Sequence, residues 1–369
     1  MNDVAANDDA LRRPGRSVML GSATLALGRG GIASVARMIA HVLVDNGADL
    51  RLVSYLDDEV PLVAGISGKG CKGSKVRFLA ETARAALYCR HFIYDSAGMA
   101  RAHPRLLRPR SGYAVWIHGV EVWEGMAPRV RPLLERASLV LSSSQHSINR
   151  HTALYGPLPN AKPCPLATEA DEEPPACPPR AGPPTVLILS RIDLNELYKG
   201  HLELIAAWPA VTAAVPGARL VIAGGGSGLE TIRKAAANSP VARLIEVAGF
   251  VPTDAIETLW QRADVLAMPS RGEGFGLVYV EAMRRGLPVV ASRHDAGQEV
   301  NIDGETGYNV DLGNPRSLVV AVVSLLADEE RRKAMGEAGR RRWRQHFRFS
   351  GFKRRLTPLL EGYLAGAGC

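Results

Sequence analysis

The stretch RGEGFGLVYVEAMRRGLPVVAS, residues 271–292, decides the fold. Glycines at 272, 274 and 276 surround one carboxylate, Glu273. From Leu277 the pattern turns helical, with Val278, Val280, Ala282 and Met283 apolar and a second carboxylate at Glu281. Gly286 fits the position just past a helix end, and Leu287-Pro-Val-Val-Ala291 reads as a buried strand. A glycine-rich loop entering a helix presents backbone N–H groups and the positive end of the helix dipole, which suits phosphate. A carboxylate within that loop would repel an anion. Glu273 is therefore expected to face something neutral beside the phosphate, such as sugar hydroxyls.

Strand and helix patterns alternate outward from this stretch. In the second half, residues 185–190, 218–223 and 244–249 read as strands, and residues 199–215 and 255–262 as helices. In the first half, strands are expected at 17–23, 50–55, 91–95, 113–118 and 138–142. Gly28-Arg-Gly-Gly-Ile32 opens an amphipathic helix that turns Ile32, Val35, Ala36, Ile39 and Val42 to one side. Between residues 158 and 184 prolines and glutamates accumulate, the composition of a linker. A chain of 369 residues accommodates two domains of roughly 100–200 residues each. The predicted organisation is α/β: a disordered stretch at 1–15, a Rossmann-like domain at 16–165, a linker at 166–184 and a second Rossmann-like domain at 185–345. A last helix at 346–369 is expected to pack back on the first domain. Two doubly wound domains joined in this way are expected to face each other across a central cleft.

Composition narrows the function. Apolar content of 46% and charged content of 22% describe an ordinary globular protein with a full core. Cys71, Cys89, Cys164, Cys177 and Cys369 are scattered, without a CxxC pair, which argues against a disulfide framework or a zinc site and for a reducing compartment. The first sixteen residues are polar and begin acidic, unlike a signal peptide, and residues 17–28 are too short for a membrane span. A cytoplasmic location is expected. The net charge of +8 is uneven: Lys69, Lys72, Lys75, Arg77, Arg84, Arg90, Arg101, Arg105, Arg108 and Arg110 face only Glu81 and Asp95. This surface is either merely solvated or a patch for an anionic membrane. Its basic runs lack the interleaved aromatics of a nucleic-acid binder.

Several residues sit where open α/β sheets bind ligands, just beyond strand ends. Arg191 follows the strand at 185–190, and Lys199-Gly200-His201 begins the next helix. Together these cations can neutralise a diphosphate without a metal. Gly224-Gly-Gly-Ser-Gly-Leu229 has Leu229 where a dinucleotide fingerprint needs glycine, so a nicotinamide enzyme is not expected. Gly30-Gly31 is either a tight turn or a close approach to ligand, and His118, before Gly119 at a strand end, is either structural or functional.

These motifs together resemble the retaining glycosyltransferases of the GT-B fold, family 4. Glu273 and Glu281 match the family's E-x7-E spacing. Gly30-Gly31, His118-Gly-Val-Glu-Val-Trp123, Ser190-Arg191, Tyr198-Lys199-Gly200-His201, Ala223-Gly-Gly-Gly226 and Asp303-Gly-Glu-Thr-Gly307 follow in the family's order. The His118 and Lys199 segments look most like bacterial polysaccharide mannosyltransferases. The resemblance implies a nucleotide-diphosphate sugar donor, with GDP-mannose favoured, and a glycan or polyprenyl-diphosphate-linked acceptor. It implies Arg191 and Lys199 on the diphosphate and the backbone of Gly274, Phe275, Gly276 and Leu277 on the sugar and phosphate. Glu273 would hold the sugar hydroxyls, Glu281 the ribose, and the backbone at Val251 the base. Gly31 would allow the first domain to close on the phosphates, and His118 would contact the donor sugar or the acceptor. It implies retention by front-side attack, the leaving phosphate taking the acceptor proton, with neither metal nor cofactor. The chain departs from the family at residues 294–299, a more polar version of the loop after the strand. The rival readings are a sugar-nucleotide epimerase of the same fold and an inactive nucleotide-sugar or glycan binder.

Overall fold

The structure is a computed structural model that describes residues 17–107, 112–174, 182–252 and 254–366. The stretch expected to be disordered, residues 1–15, lies outside the described residues, as do Arg108, Arg110, Cys177 and Cys369 and the middle of the expected linker. Contacts divide the chain into two compact units, one running to Glu169 and resuming at Phe349, the other Ala170–Arg348.

The first unit begins with β1 (Ser17–Ser22), α1 (Gly31–Asp45), β2 (Asp49–Ser54), β3 (Gly68–Gly70), α2 (Lys75–Ala85) and β4 (His91–Tyr94). It continues with β5 (Ala114–Ile117), α3 (Arg131–Arg136), β6 (Leu139–Ser142), α4 (Gln145–Tyr155) and β7 (Ala161–Pro163). The seven strands are parallel, in the order β3-β2-β1-β4-β5-β6-β7. Crossover helices cover such a sheet, so its central strands can be apolar along their whole length rather than alternating. All four residues of β5 and of β6 are accordingly buried. Met19, Phe92, Tyr94, Val115 and Val140 form the middle of the core.

The second unit holds β8 (Thr185–Leu189), α5 (His201–Ala214), β9 (Arg219–Ala223), α6 (Leu229–Ala237), β10 (Ile245–Gly249), α7 (Ile256–Arg262) and β11 (Val265–Ala267). After these come α8 (Leu277–Arg284), β12 (Val289–Ser292), α9 (Gly297–Val300), β13 (Gly307–Val310), α10 (Pro315–Ala327) and α11 (Glu329–Arg342). Its strands are also parallel, in the order β10-β9-β8-β11-β12-β13. In both units the winding starts at a central strand, proceeds to one side, and then reverses, which makes each of them doubly wound.

Residues 158–174 of the proline-rich stretch are tied to both units. Ala161–Pro163 is the edge strand β7, paired to β6; proline is tolerated at an edge because no further strand needs its missing N–H. Glu169 pairs with Arg37 of α1, which ties residues beyond 165 to the first unit. Glu173 pairs with Arg344 at 2.7 Å, and the Glu172 carbonyl accepts from Arg284, which ties the following residues to the second. At the other end, a π-helical turn, Trp343–Phe347, stays with the second unit, its Phe347 ring 6.0 Å from that of Phe275. The second unit therefore ends at Arg348 rather than at 345.

The last helix, α12 (Phe349–Leu364), belongs to the first unit. Lys353 reaches Asp45 at 2.7 Å, and Asn46 Nδ2 donates to Thr357 Oγ1 at 3.1 Å. Its Tyr363 hydroxyl donates to the Phe92 carbonyl at 2.9 Å and accepts the Phe92 N–H at 3.1 Å. Pairing of β4 with β5 begins one residue later, at Ile93 and Ala114, so the hydroxyl completes a ladder that is not yet formed. Replacing Tyr363 by Phe should leave two buried backbone groups unpartnered and lower stability by about 1–3 kcal/mol. Urea unfolding followed by far-ultraviolet dichroism measures this, and an unchanged midpoint would show that the Tyr363 hydroxyl contributes nothing to holding α12.

Candidate functional site

The reversal of winding in the second unit lies between β8 and β11, which pair through Val186 with Val265 and Leu187 with Leu266. At such a reversal the loops beyond the two strands diverge and leave a crevice at their carboxyl ends. The loop after β8 runs through residues 190–200 and contains a 3-10 turn, Leu194–Lys199, which Asp193 caps by accepting the Asn195 N–H at 3.0 Å. Lys199 thus ends this turn, and α5 starts only at His201. Gly200 between them has φ +93°, and a Cβ there would lie 2.6 Å from the Pro269 carbonyl oxygen. Only glycine satisfies both the backbone angle and the approach. The loop after β11 is fastened alongside, the Arg271 N–H donating to the Tyr198 carbonyl at 3.0 Å. Lys199 is thereby brought near Glu273.

Arg191 and Lys199, the two cations expected on a diphosphate, meet on one carboxylate, Glu196. Arg191 Nε lies 3.2 Å from Glu196 Oε2 and its Nη2 contacts Oε1, while Lys199 Nζ lies 3.3 Å from Oε2. The paired carboxylate raises the Arg191 guanidinium above its ordinary value. The side chains of Glu196 and Lys199 are each 17% exposed, against 66% for Arg191. Sequence reasoning does not single out Glu196, whose only signal is its position between the two cations.

Glu273 is presented by its backbone. Its N–H donates to Asp295 Oδ2 at 2.8 Å and its carbonyl accepts the Ala296 N–H at 3.0 Å. Asp295 is wholly buried, also accepts the Gly297 N–H at 2.9 Å, and is bonded by Ser270. Burial pushes the Glu273 carboxyl up, Lys199 opposes this, and Glu196 adds to it; the Gly276 N–H faces the carboxylate and favours its charged form. Burial, reinforced by Glu273, raises Asp295 from 3.8 to about 7. The polar loop at 294–299 is therefore the backing of Glu273. The departure from the family pattern was its only mark in the sequence.

Gly276 caps α8 in the left-handed region, φ +93°, with the Tyr279 ring occupying the space a Cβ would need. Tyr279 is buried, and its hydroxyl donates to the Met268 carbonyl at 2.6 Å, locking α8 to the end of β11. Gly274, Phe275 and Gly276 are buried, Leu277 and Glu281 half-buried on α8, and Val251 half-buried after β10. Gly224 and Gly226 line the β8 loop, where the Ile192 N–H donates to the Gly225 carbonyl at 3.0 Å.

His118 and Gly31 belong to the first unit. Gly31 is exposed at the start of α1. His118 follows β5, its Nε2 2.6 Å from the Asp95 carbonyl oxygen. A carbonyl only accepts, so Nε2 carries the proton and Nδ1 is left as the acceptor when the ring is neutral. Asp95, not singled out by the sequence, is buried at the β1–β4 reversal. It accepts from Ser22 Oγ at 2.7 Å and from the Ala23 N–H at 2.8 Å, which fixes the carbonyl that His118 meets.

The Asp295 shift has a direct consequence for stability. Between 3.8 and about 7 the folded chain binds a proton that the unfolded chain has released. This contribution is fully present below the lower value and is lost as pH rises through the upper one. Glu273 shifts in the same direction. Asp295→Asn removes the larger titration, so its melting temperature should decline less than the parent's between about pH 5 and pH 8. Parallel melting curves would place the Asp295 proton elsewhere.

Comparison with known proteins agrees with this geometry. Residues 170–342, nearly the whole second unit, match the family described as Glycosyl transferases group 1. The GDP-mannose-dependent alpha-(1-6)-phosphatidylinositol monomannoside mannosyltransferase of Mycolicibacterium smegmatis is 34% identical over 265 residues, 66% of this chain and 69% of that protein. Its namesake in Mycobacterium tuberculosis is 33% identical over 289 residues, 71% of this chain and 74% of that one. Among solved structures, sucrose-phosphate synthase from Thermosynechococcus elongatus superposes with a TM-score of 0.80 at 20% identity, covering 95% of this chain and 100% of that one. The shared fold is GT-B. With the fold, the crevice beside β8 and relatives matched over two thirds of their length, the chain belongs to the group 1 glycosyltransferases and is a glycosyltransferase.

Proposed function

We propose that the chain transfers mannose, with retention, from GDP-mannose to a lipid-anchored acceptor at an anionic membrane surface, in the building of a bacterial cell-surface glycan. The observation that carries this reading is the cluster of Arg191, Lys199 and Glu273 at the β8–β11 crevice; the mycobacterial relatives supply the choice of GDP-mannose. The two cations take the donor diphosphate, which removes the need for a divalent metal, and Glu273 holds hydroxyls of the sugar. As the anomeric bond breaks, negative charge gathers on the leaving phosphate, where Arg191 and Lys199 bind it more strongly than in the ground state. The same phosphate oxygen accepts the acceptor's proton on the face that the nucleophile attacks, so configuration is retained. Glu281 holds the ribose and the backbone at Val251 the base. Gly274, Phe275, Gly276 and Leu277 lie along the sugar and phosphate.

The membrane side of the reading rests on α2. Its inner face buries Phe78, Thr82 and Ala85. Its outer face carries an apolar stripe at helical spacing, Val76 and Leu79, continued by Leu87, which are 76%, 50% and 68% exposed. Exposed Lys72, Lys75, Arg77 and Arg84 flank that stripe. Apolar side chains facing solvent among cations suit insertion between anionic headgroups. Among the described residues no helix is long and apolar enough to cross a membrane.

Three measurements test the proposal. A panel of GDP- and UDP-sugars should give hydrolysis or transfer with GDP-mannose and retain it in EDTA; a UDP-sugar preference sinks the donor assignment. Lys199→Ala and Glu273→Ala should each reduce turnover about a hundredfold, since a preorganised contact that strengthens in the transition state is worth about 3 kcal/mol. Near-normal turnover with an intact fold would remove that residue from the site. Val76→Asp combined with Leu79→Asp should abolish sedimentation with phosphatidylglycerol vesicles while leaving GDP binding unchanged, and undiminished sedimentation would move the membrane contact off α2.

A further inference from the structure

Glu196 is used by none of the steps above, yet it occupies the donors that a diphosphate needs. A guanidinium offers its Nε and Nη2 hydrogens as one planar fork, which fits a carboxylate or a phosphate but not both at once. In this structure that fork of Arg191 is on Glu196, and Lys199 Nζ reaches the same Oε2 at 3.3 Å. We propose that Glu196 is an internal stand-in for the donor diphosphate, holding Arg191 and Lys199 together while the site is empty and competing with the nucleoside diphosphate product for them. The inference rests on the placement of the diphosphate argued above.

Several features separate this from an incidental surface pair, which contributes little and is readily screened. Glu196 engages two cations rather than one, and its side chain is largely withdrawn from water although that of Arg191 is not. Its place is set by the loop: its N–H donates to the Asp193 carbonyl at 2.9 Å, and the Leu194 N–H donates to Ser227 Oγ at 3.1 Å. The backbone at Glu196 leaves helical geometry, φ −125° and ψ 23°, inside a turn that is otherwise 3-10. The backbone that carries Lys199 is held in place by the close approach of Gly200 to Pro269. When product leaves, the carboxylate is therefore already at hand to satisfy both cations. Without it, the two cations would lose the carboxylate they share, and with only Asp193 near Arg191 and Glu273 near Lys199 among the described residues they would hold the product more strongly.

Inorganic pyrophosphate and GDP serve as probes, measured by titration calorimetry on the full chain. Glu196→Gln keeps the shape and a hydrogen-bond acceptor but removes the competing charge. It should bind both probes about tenfold more tightly, strengthen product inhibition by GDP in parallel, and turn over more slowly at saturating donor. Glu230→Gln removes an exposed acid elsewhere in the same unit and controls for the change in net charge; equal tightening there overturns the proposal. Unchanged or weaker binding by Glu196→Gln also overturns it and makes Glu196 a scaffold that only orders the two cations. Lys199→Ala reports on the underlying placement. Loss of pyrophosphate binding in that variant keeps the diphosphate on Lys199, so that a negative result for Glu196→Gln refutes only the stand-in role. Undiminished binding removes the diphosphate from Lys199, and the role of Glu196 falls with it.

Discussion

The reversal of strand order at β8 is the constraint on which the site depends. It brings two loops, one from β8 and one from β11, into a single crevice, and they are close enough for the Tyr198 carbonyl to accept the Arg271 N–H at 3.0 Å. That contact is possible because Gly200 lacks a Cβ against Pro269. Placement of charge at the site is thus a backbone matter. Lys199 is aimed by the turn that ends at Gly200, and Glu273 by its N–H on Asp295 and its carbonyl on Ala296. Rigid elements hold such positions more reliably than side-chain contacts across open solvent.

The charges so placed are close to balanced before any ligand arrives. Arg191 and Lys199 face Glu196 and Glu273, and burial raises Asp295 behind them from 3.8 to about 7. The balance has a chemical use. A crevice with two uncompensated cations would bind a diphosphate tightly before and after transfer alike, and uniform binding of that kind does not accelerate a reaction. A carboxylate that contends for the same donors weakens the ground-state contact, while the charge that builds on the leaving group still meets preorganised cations.

How much of this was legible depended on local pattern. Arg191, Lys199 and Glu273 stand just beyond strand ends or among glycines, where a one-dimensional reading looks for ligands, and the structure gathers them in one crevice. Glu196 lies in Asp193-Leu-Asn-Glu196, which reads as an ordinary polar turn; its meaning is in its two partners, and one of them is five residues away. Asp295 is wholly buried, but it sits in a loop whose composition suggests exposure. The doubly wound architecture was recoverable because helices and long strands repeat apolar residues with their own periods. β3 (GKG), β7 (AKP) and β13 (GYNV) lack the apolar run by which the four-residue strands β4, β5, β6 and β12 are read, and the apolar run of β11 is only three residues long. Composition is equally blind to the partners found within residues 158–174. Proline content signals the absence of internal ladder bonds, but it cannot reveal that β6 supplies an edge for Ala161–Pro163, or that Arg37 and Arg344 wait for Glu169 and Glu173.

The same distinction between pattern and partner separates the two classes of cation in the chain. Arg191 and Lys199 have a carboxylate in reach, so their charge is committed within the fold. Among the described residues, α2 carries near the stripe the weak contact of Arg84 with Glu81 at 3.8 Å, while exposed Lys72 meets Asp58 at 3.5 Å. Pairs so exposed contribute little to folding. An apolar stripe beside them contributes nothing to the core either, since Val76 and Leu79 point away from it. A fold that needed only solubility would be served by polar residues at those positions. The proposed contact with a lipid surface would account for both the charge and the stripe, and it would give the basic excess of the first unit a task different from that of the two cations in the second.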